Sequence, residues 1–157
     1  MSYWGWNILV KGDHTLAEHP AITEYAGIVE AEYVMGEWRE LRMDGLDSGG
    51  SGDIAAIVRA TGAPAMAFYV LGDDCAIGEA AAPSGPIWYA VFRYDDDYAK
   101  GLPPGYRRED TVANALAWAT QAGLTADPAK VEHAFAEGWM DDLYAAFGLP
   151  ESTPADT

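Results

Sequence analysis

The sequence predicts an α+β fold: a ferredoxin-like βαββαβ first half, extended by a β-hairpin into a mostly antiparallel six-stranded sheet, with two C-terminal helices. Three observations carry this. Period-two alternation recurs over 3–10, 28–35 and 38–43; the stretch Ala65-Met66-Ala67-Phe68-Tyr69-Val70-Leu71 is apolar without a break; and apolar residues fall at helical spacing after Asp53 and again after Glu109.

In order along the chain, Tyr3 to Val10 sets Trp4, Trp6, Ile8 and Val10 on one face of a first strand, with Gly5, Asn7 and Leu9 between them. A helix is expected from Thr15, carrying Leu16, Ala17, Ile22, Tyr25 and Ala26, limited or split by Pro20. Ile28 to Met35 alternates with Val29, Ala31, Tyr33 and Met35 inward and Glu30 and Glu32 toward water. Gly36-Glu37 turns the chain into a partner strand, Trp38 to Met43, in which Arg39, Leu41 and Met43 share one face and Trp38, Glu40 and Arg42 the other. The Gly- and Ser-rich run 44–52 reads as a loop. A helix follows, with Ile54, Ile57, Val58 and Thr61 on one side and Gly62 at its end.

The apolar run 65–71 has no polar alternation, so it reads as a strand covered on both faces, with Gly72-Asp73 making a tight hairpin. Such a strand makes a poor sheet edge, so the weak strand Cys75 to Ala82 and the aromatic strand Ile87 to Tyr94 are expected to extend the sheet beyond it. Glu109-Asp110 opens a helix bearing Val112, Leu116 and Ala119. Asp127-Pro128 is the clearest helix start in the chain, an acceptor at the cap with Pro in the first turn. From there Val131, Phe135, Trp139, Leu143 and Phe147 recur every four residues, which predicts one helix from Pro128 to Phe147, about 30 Å long. Residues 1–149 are expected to form a single globular domain and 150–157 a disordered tail.

Composition narrows the function classes. Half the residues are apolar, with six Trp and nine Tyr, enough for a core without disulfides or metal. The single cysteine, Cys75, rules out an internal disulfide framework, and no apolar window approaches a membrane span, so the expected location is cytoplasmic. Twenty-five acidic against nine basic residues give a formal charge of −16, which disfavours nucleic acid and anionic membranes as direct partners and favours a basic protein.

No segment carries a catalytic signature. His14, His19 and His133 have no zinc spacing, and Asp95-Asp96-Asp97 lacks the alternating ligands of a calcium loop, so neither metal nor cofactor is expected. Cys75 follows two aspartates, which disfavour a thiolate. Gly49-Gly50-Ser51-Gly52 precedes a helix but lacks the lysine of a phosphate loop. What remains is charge. Asp73-Asp74 in the hairpin, Asp95-Asp96-Asp97 after the aromatic strand and Asp141-Asp142 on the last helix are the candidate partner-binding residues. Arg107 and Arg108, in the one basic stretch, form a candidate anion clamp.

The opening Tyr3-Trp4-Gly5-Trp6, with Gly62-Ala63-Pro64-Ala65, Tyr69-Val70-Leu71 and Asp73-Asp74-Cys75-Ala76, resembles small acidic proteins of actinomycetes. The resemblance covers the first half of the chain and implies a source, but no activity and no site residue.

The expected function is therefore an acidic, non-enzymatic binding module, most concretely an immunity-type or inhibitor protein that neutralises a basic partner such as a nuclease toxin. Two alternatives stand beside it. One is a small-ligand-binding or enzymatic domain using the sheet face and the Arg107/Arg108 loop; the other is a homo-oligomer subunit joined through the strand Ile87 to Tyr94.

Overall fold

The computed structural model describes residues 4–12, 16, 19, 22, 28–44, 54–72, 75–93, 102 and 106–155. Seven strands form one antiparallel sheet: β1 (Trp4–Lys11), β2 (Ile28–Met35), β3 (Trp38–Asp44), β4 (Ala65–Leu71), β5 (Cys75–Ala81), β6 (Trp88–Phe92) and the short β7 (Thr153–Pro154). Their order is β6-β5-β4-β1-β3-β2-β7. Four helices are found among the described residues: α1 (Ile54–Thr61), α2 (Thr111–Gln121), α3 (Pro128–Ala136) and α4 (Met140–Ala146). A 3-10 turn, Arg108–Asp110, leads into α2.

Both faces of the sheet are covered, so alternation along the strands sorts side chains between two cores and not between core and water. On one face Trp6, Ile8 and Val10 pack with Leu41, Met43, Ala65 and Ala67 beneath Ile54, Ile57 and Val58 of α1. On the other, Leu9, Trp38, Met66, Phe68 and Phe92 pack beneath Trp118 of α2, Phe135 of α3 and Leu143 of α4. Asn7 and Leu9, which alternation sets opposite the tryptophans, are therefore buried as well. β4 lies between β1 and β5, and Ala65 through Phe68 are buried on both sides, as an unbroken apolar run requires. Gly72 supplies a left-handed backbone (φ +63°) where β4 turns toward β5, with Leu71 paired to Cys75.

Five expectations are corrected. The sheet has seven strands and not six: Thr153 and Pro154 pair with Val34 and Tyr33, and Ala155 N donates to Glu32 O at 2.9 Å. The tail thus covers the exposed side of β2, where an edge position tolerates Pro154, and residues 151–155 are not a free end.

The helix expected from Pro128 to Phe147 is two helices, so three C-terminal helices stand where two were expected. A four-residue repeat drifts by about 40° per step against 3.6 residues per turn, or about 160° from Val131 to Phe147, so one straight helix cannot hold all five residues on one face. The chain breaks at Gly138-Trp139, where Trp139 is extended (φ −147°, ψ −175°) and its N–H donates to Asp142 Oδ2 at 2.8 Å. The start of α3 is as expected: Asp127 Oδ1 accepts from Ala129 N at 3.1 Å and Lys130 N at 3.3 Å, a cap worth about 1 kcal/mol.

Glu32 does not face water. Its Oε1 accepts from Leu16 N at 3.0 Å and its Oε2 pairs with Arg39 Nη1 at 2.9 Å, so it ties the segment after β1 to the sheet. The aromatic strand is shorter than expected, Trp88 to Phe92. The helix expected from Thr15 lies outside the described residues apart from Leu16, His19 and Ile22, of which Leu16 and Ile22 are buried.

Candidate functional site

The register aligns Phe92, Ala76, Val70, Gly5, Asp44 and Ile28 in one row, at the end of the sheet where β3, β4 and β6 finish. Two rows further in lie Asn7 and Arg42, paired across β1 and β3, and two rows beyond them lie Leu9 and Glu40. By the two-residue period all four project from the face that carries α2, α3 and α4. Over this corner sits the first turn of α4, with Met140, Asp141 and, one turn on, Tyr144.

Glu40 is buried, 1% exposed, in the middle of this face. Its Oε1 accepts from Arg42 Nε at 3.0 Å, and Arg42 Nη2 lies 3.7 Å from Asp141 Oδ1. The Arg42 guanidinium also stacks over the Tyr33 ring at 4.8 Å. Burial raises the Glu40 pKa above its ordinary value, and Arg42 and Tyr144 only partly offset it. Burial, then the nearby Glu40 carboxyl, pushes the Tyr144 phenol well above its ordinary value. Yet neither Glu40 Oε2 nor Tyr144 Oη completes a hydrogen bond of good geometry, and Asn7 Oδ1 is also buried without a partner. Three buried polar atoms without a well-formed hydrogen bond, with Glu40 and Tyr144 facing each other, mark a polar pocket set into an apolar layer.

Above Asn7 opens a cleft of about 270 Å³, lined by Asn7, Glu30, Arg42, Val70, Gly72, Trp139, Met140 and Asp141. Glu30 reaches it because the pairing of β2 with β3 shifts between Val29 and Ala31, a bulge that breaks the alternation which would send Glu30 to the α1 face. Trp139 forms one wall, and its ring lies under the guanidinium of Arg93 at 4.7 Å, while Arg93 Nε donates to Gly138 O at 3.3 Å. Arg93 holds a left-handed backbone (φ +52°), uncommon outside glycine, at the point where β6 ends.

Of the candidate partner-binding residues, Asp141 and Asp142 are exposed on α4, with Asp141 at the cleft and Asp142 engaged in capping Trp139 N. Asp73, Asp74, Asp95, Asp96 and Asp97 lie outside the described residues. Their chain neighbours are placed: Gly72, which precedes Asp73, lines the cleft, and Arg93, two residues before Asp95, stacks on the cleft's Trp139.

Arg107 and Arg108 do not act as a pair. Arg107 Nε is bound to Glu109 Oε1 at 3.3 Å in an exposed ion pair, whereas Arg108 lines a separate cleft of about 430 Å³ with Tyr106, Glu109, Thr111, Glu132 and Phe135. Thr111 Oγ1 is buried there without a partner.

The sequence did not single out Asn7, Glu40 or Tyr144. The available signal was the alternation of β3, which puts Glu40 and Arg42 on the same face as Trp38, a residue that a strand rarely leaves in water. Among the described residues no group of three or more His, Cys, Asp or Glu side chains is placed to hold a metal ion, and no helix is long and apolar enough to cross a membrane. Cys75 is buried at the start of β5. Compared with known proteins, this chain matches no family model, no curated protein and no solved structure.

Proposed function

We propose that this protein is an acidic binding module of the immunity or inhibitor type, which neutralises a basic protein partner through the end of the sheet where β4 and β6 finish. One observation carries the reading: Glu30 and Asp141 line a single cleft with Gly72 and Trp139, and Arg93 stacks on that Trp139. A net charge of −16 gives a basic partner a steering field, and the carboxylates of Glu30 and Asp141 at the cleft give it a landing place. In this reading the ferredoxin-like order serves as a scaffold, and the β4-β1-β3-β2 antiparallel core supports it. The location in the reading is the cytoplasm, and the resemblance to actinomycete acidic proteins belongs to the same proposal.

The test is immobilisation of the protein, exposure to lysate of its source across a salt series, and titration of any retained protein in purified form. A one-to-one complex with a basic protein is expected, with an association rate that falls steeply with salt and falls at least tenfold when Asp141 and Asp142 are changed to Lys. Retention of no basic protein at low salt would sink the proposal.

The cleft beside Arg108 favours a second reading, a small-ligand site. Its volume falls within the range of about 300–1,000 Å³ of such pockets, and Thr111 Oγ1 is a buried hydroxyl without a partner in it. Native mass spectrometry of the protein isolated from its source decides this: a bound small molecule lost on Thr111→Val supports it, and an unliganded mass in both opposes it.

A further inference from the structure

The cleft over Asn7 offers more than a negative surface. We infer that it receives one cationic side chain, a lysine or an arginine presented by the partner, with the stem against Val70, Trp139 and Met140 and the head on Asn7 Oδ1 between Glu30 and Asp141. The inference rests on the binding-module reading and names the chemistry of the partner's anchor.

Three independent features point this way. Asn7 is 5% exposed and lines the cleft, and its carbonyl oxygen is buried without a donor, so an incoming N–H that reaches it satisfies a group that is costly to leave unpaired. The β2 bulge turns Glu30 into the cleft, an arrangement that strand alternation would not produce. The size also suits one side chain: about 270 Å³ is below the usual range of about 300–1,000 Å³ for small-molecule pockets.

Arg42 does not reverse the sign. Its Nε is held by Glu40 at 3.0 Å and its Nη2 lies 3.7 Å from Asp141, so it is already matched within the molecule. Among the lining residues Glu30 and Asp141 are two carboxylates against the single guanidinium of Arg42, while Arg93 sits behind the wall on the Trp139 ring. Arg93 stacked on Trp139 shows that this ring accepts a guanidinium.

The test uses Nα-acetyl-arginine amide as the probe, its uncharged citrulline analogue as the control and inorganic phosphate as the opposite charge. NMR follows the Asn7 side-chain amide and the Trp139 indole N–H. The arginine derivative is expected to shift both resonances saturably in the millimolar range, at least tenfold more tightly than the citrulline analogue. Glu30→Gln and Asp141→Asn, both at exposed positions, are expected to weaken it at least threefold each. Unmoved resonances, equal binding of the citrulline analogue, or shifts caused by phosphate and not by the arginine derivative would each overturn the inference. A basic protein retained at low salt while the arginine derivative leaves Asn7 unmoved removes the cleft assignment and keeps the binding-module reading. Saturable binding of the arginine derivative with no basic protein retained does the reverse.

Discussion

Glu40 carries a carboxyl group into a layer of packed side chains, and what it meets there sets its behaviour. Arg42 satisfies one oxygen at 3.0 Å, while burial raises the pKa and Oε2 lacks a well-formed hydrogen bond. A carboxyl whose folded pKa lies above its unfolded value of about 4.3 contributes stability that is complete below the unfolded value and lost as pH rises through the folded one. Glu40→Gln keeps an acceptor for Arg42 and removes the ionisation. It should therefore raise stability at pH 8 by about 1 kcal/mol, a Tm gain of about 2–4 °C, and the gap should close as the pH falls toward 5. Thermal melts across that range check it, and a lower Tm for the variant at pH 8 would show that the ionised pair outweighs desolvation.

Arg42→Ala should act in the opposite sense. Breaking a fully buried pair costs about 3–5 kcal/mol, but the Arg42 side chain is 34% exposed, so a loss of about 1–2 kcal/mol is expected at pH 8. The loss should be smaller at pH 5 than at pH 8, because lower pH favours the protonated form of a carboxyl whose pKa is raised. Denaturant unfolding at the two pH values measures the difference, and a loss independent of pH would detach Arg42 from Glu40. Neither residue was legible as a site from sequence. Alternation gives a face, but whether that face meets water or helices depends on segments almost a hundred residues away.

At the scale of elements, strands were read more faithfully than helices. The period-two pattern located β1, β2 and β3, and the unbroken apolar run located β4, because side-chain direction in a strand is fixed by the pleat alone. The C-terminal helices were merged because spacing alone does not reveal local competition for backbone groups: Asp142 caps Trp139 N and ends the continuity. Gly78 shows a second kind of hidden constraint. A side chain at this position of β5 would meet the Ala67 carbonyl oxygen and the Phe68 ring on the neighbouring strand, so the close approach of β4 and β5 depends on glycine. Gly78→Ala should cost about 2 kcal/mol, the usual cost of overpacking, measurable as a lower denaturant midpoint. An unchanged midpoint would mean that the two strands separate freely.

For the whole molecule, the last strand closes what the sequence left open. β7 adds only two residues, yet it covers the outer side of β2, the edge opposite β6. Deleting residues 151–157 should lower stability by about 1 kcal/mol, since few and exposed hydrogen bonds are lost. It should also leave β2 as a bare edge that pairs between copies. Light scattering after size exclusion should then show concentration-dependent association of the truncated chain beyond that of the full chain, and identical behaviour of the two would deny β7 this protective role.

The sequence by itself determined the α+β class, the approximate positions of β1 to β6, the capped start of α3 at Asp127-Pro128 and the strongly acidic balance. These rest on neighbouring residues or on simple sums, and a reader of the chain has both. Only the tertiary structure decided that both sheet faces are covered, that Glu40 and Asn7 are buried, and that Glu30, Gly72, Trp139 and Asp141 meet around one cleft. Those properties arise from antiparallel register and from helices folded back across the sheet, where residues distant in the chain become neighbours and burial changes the chemistry of the groups it encloses.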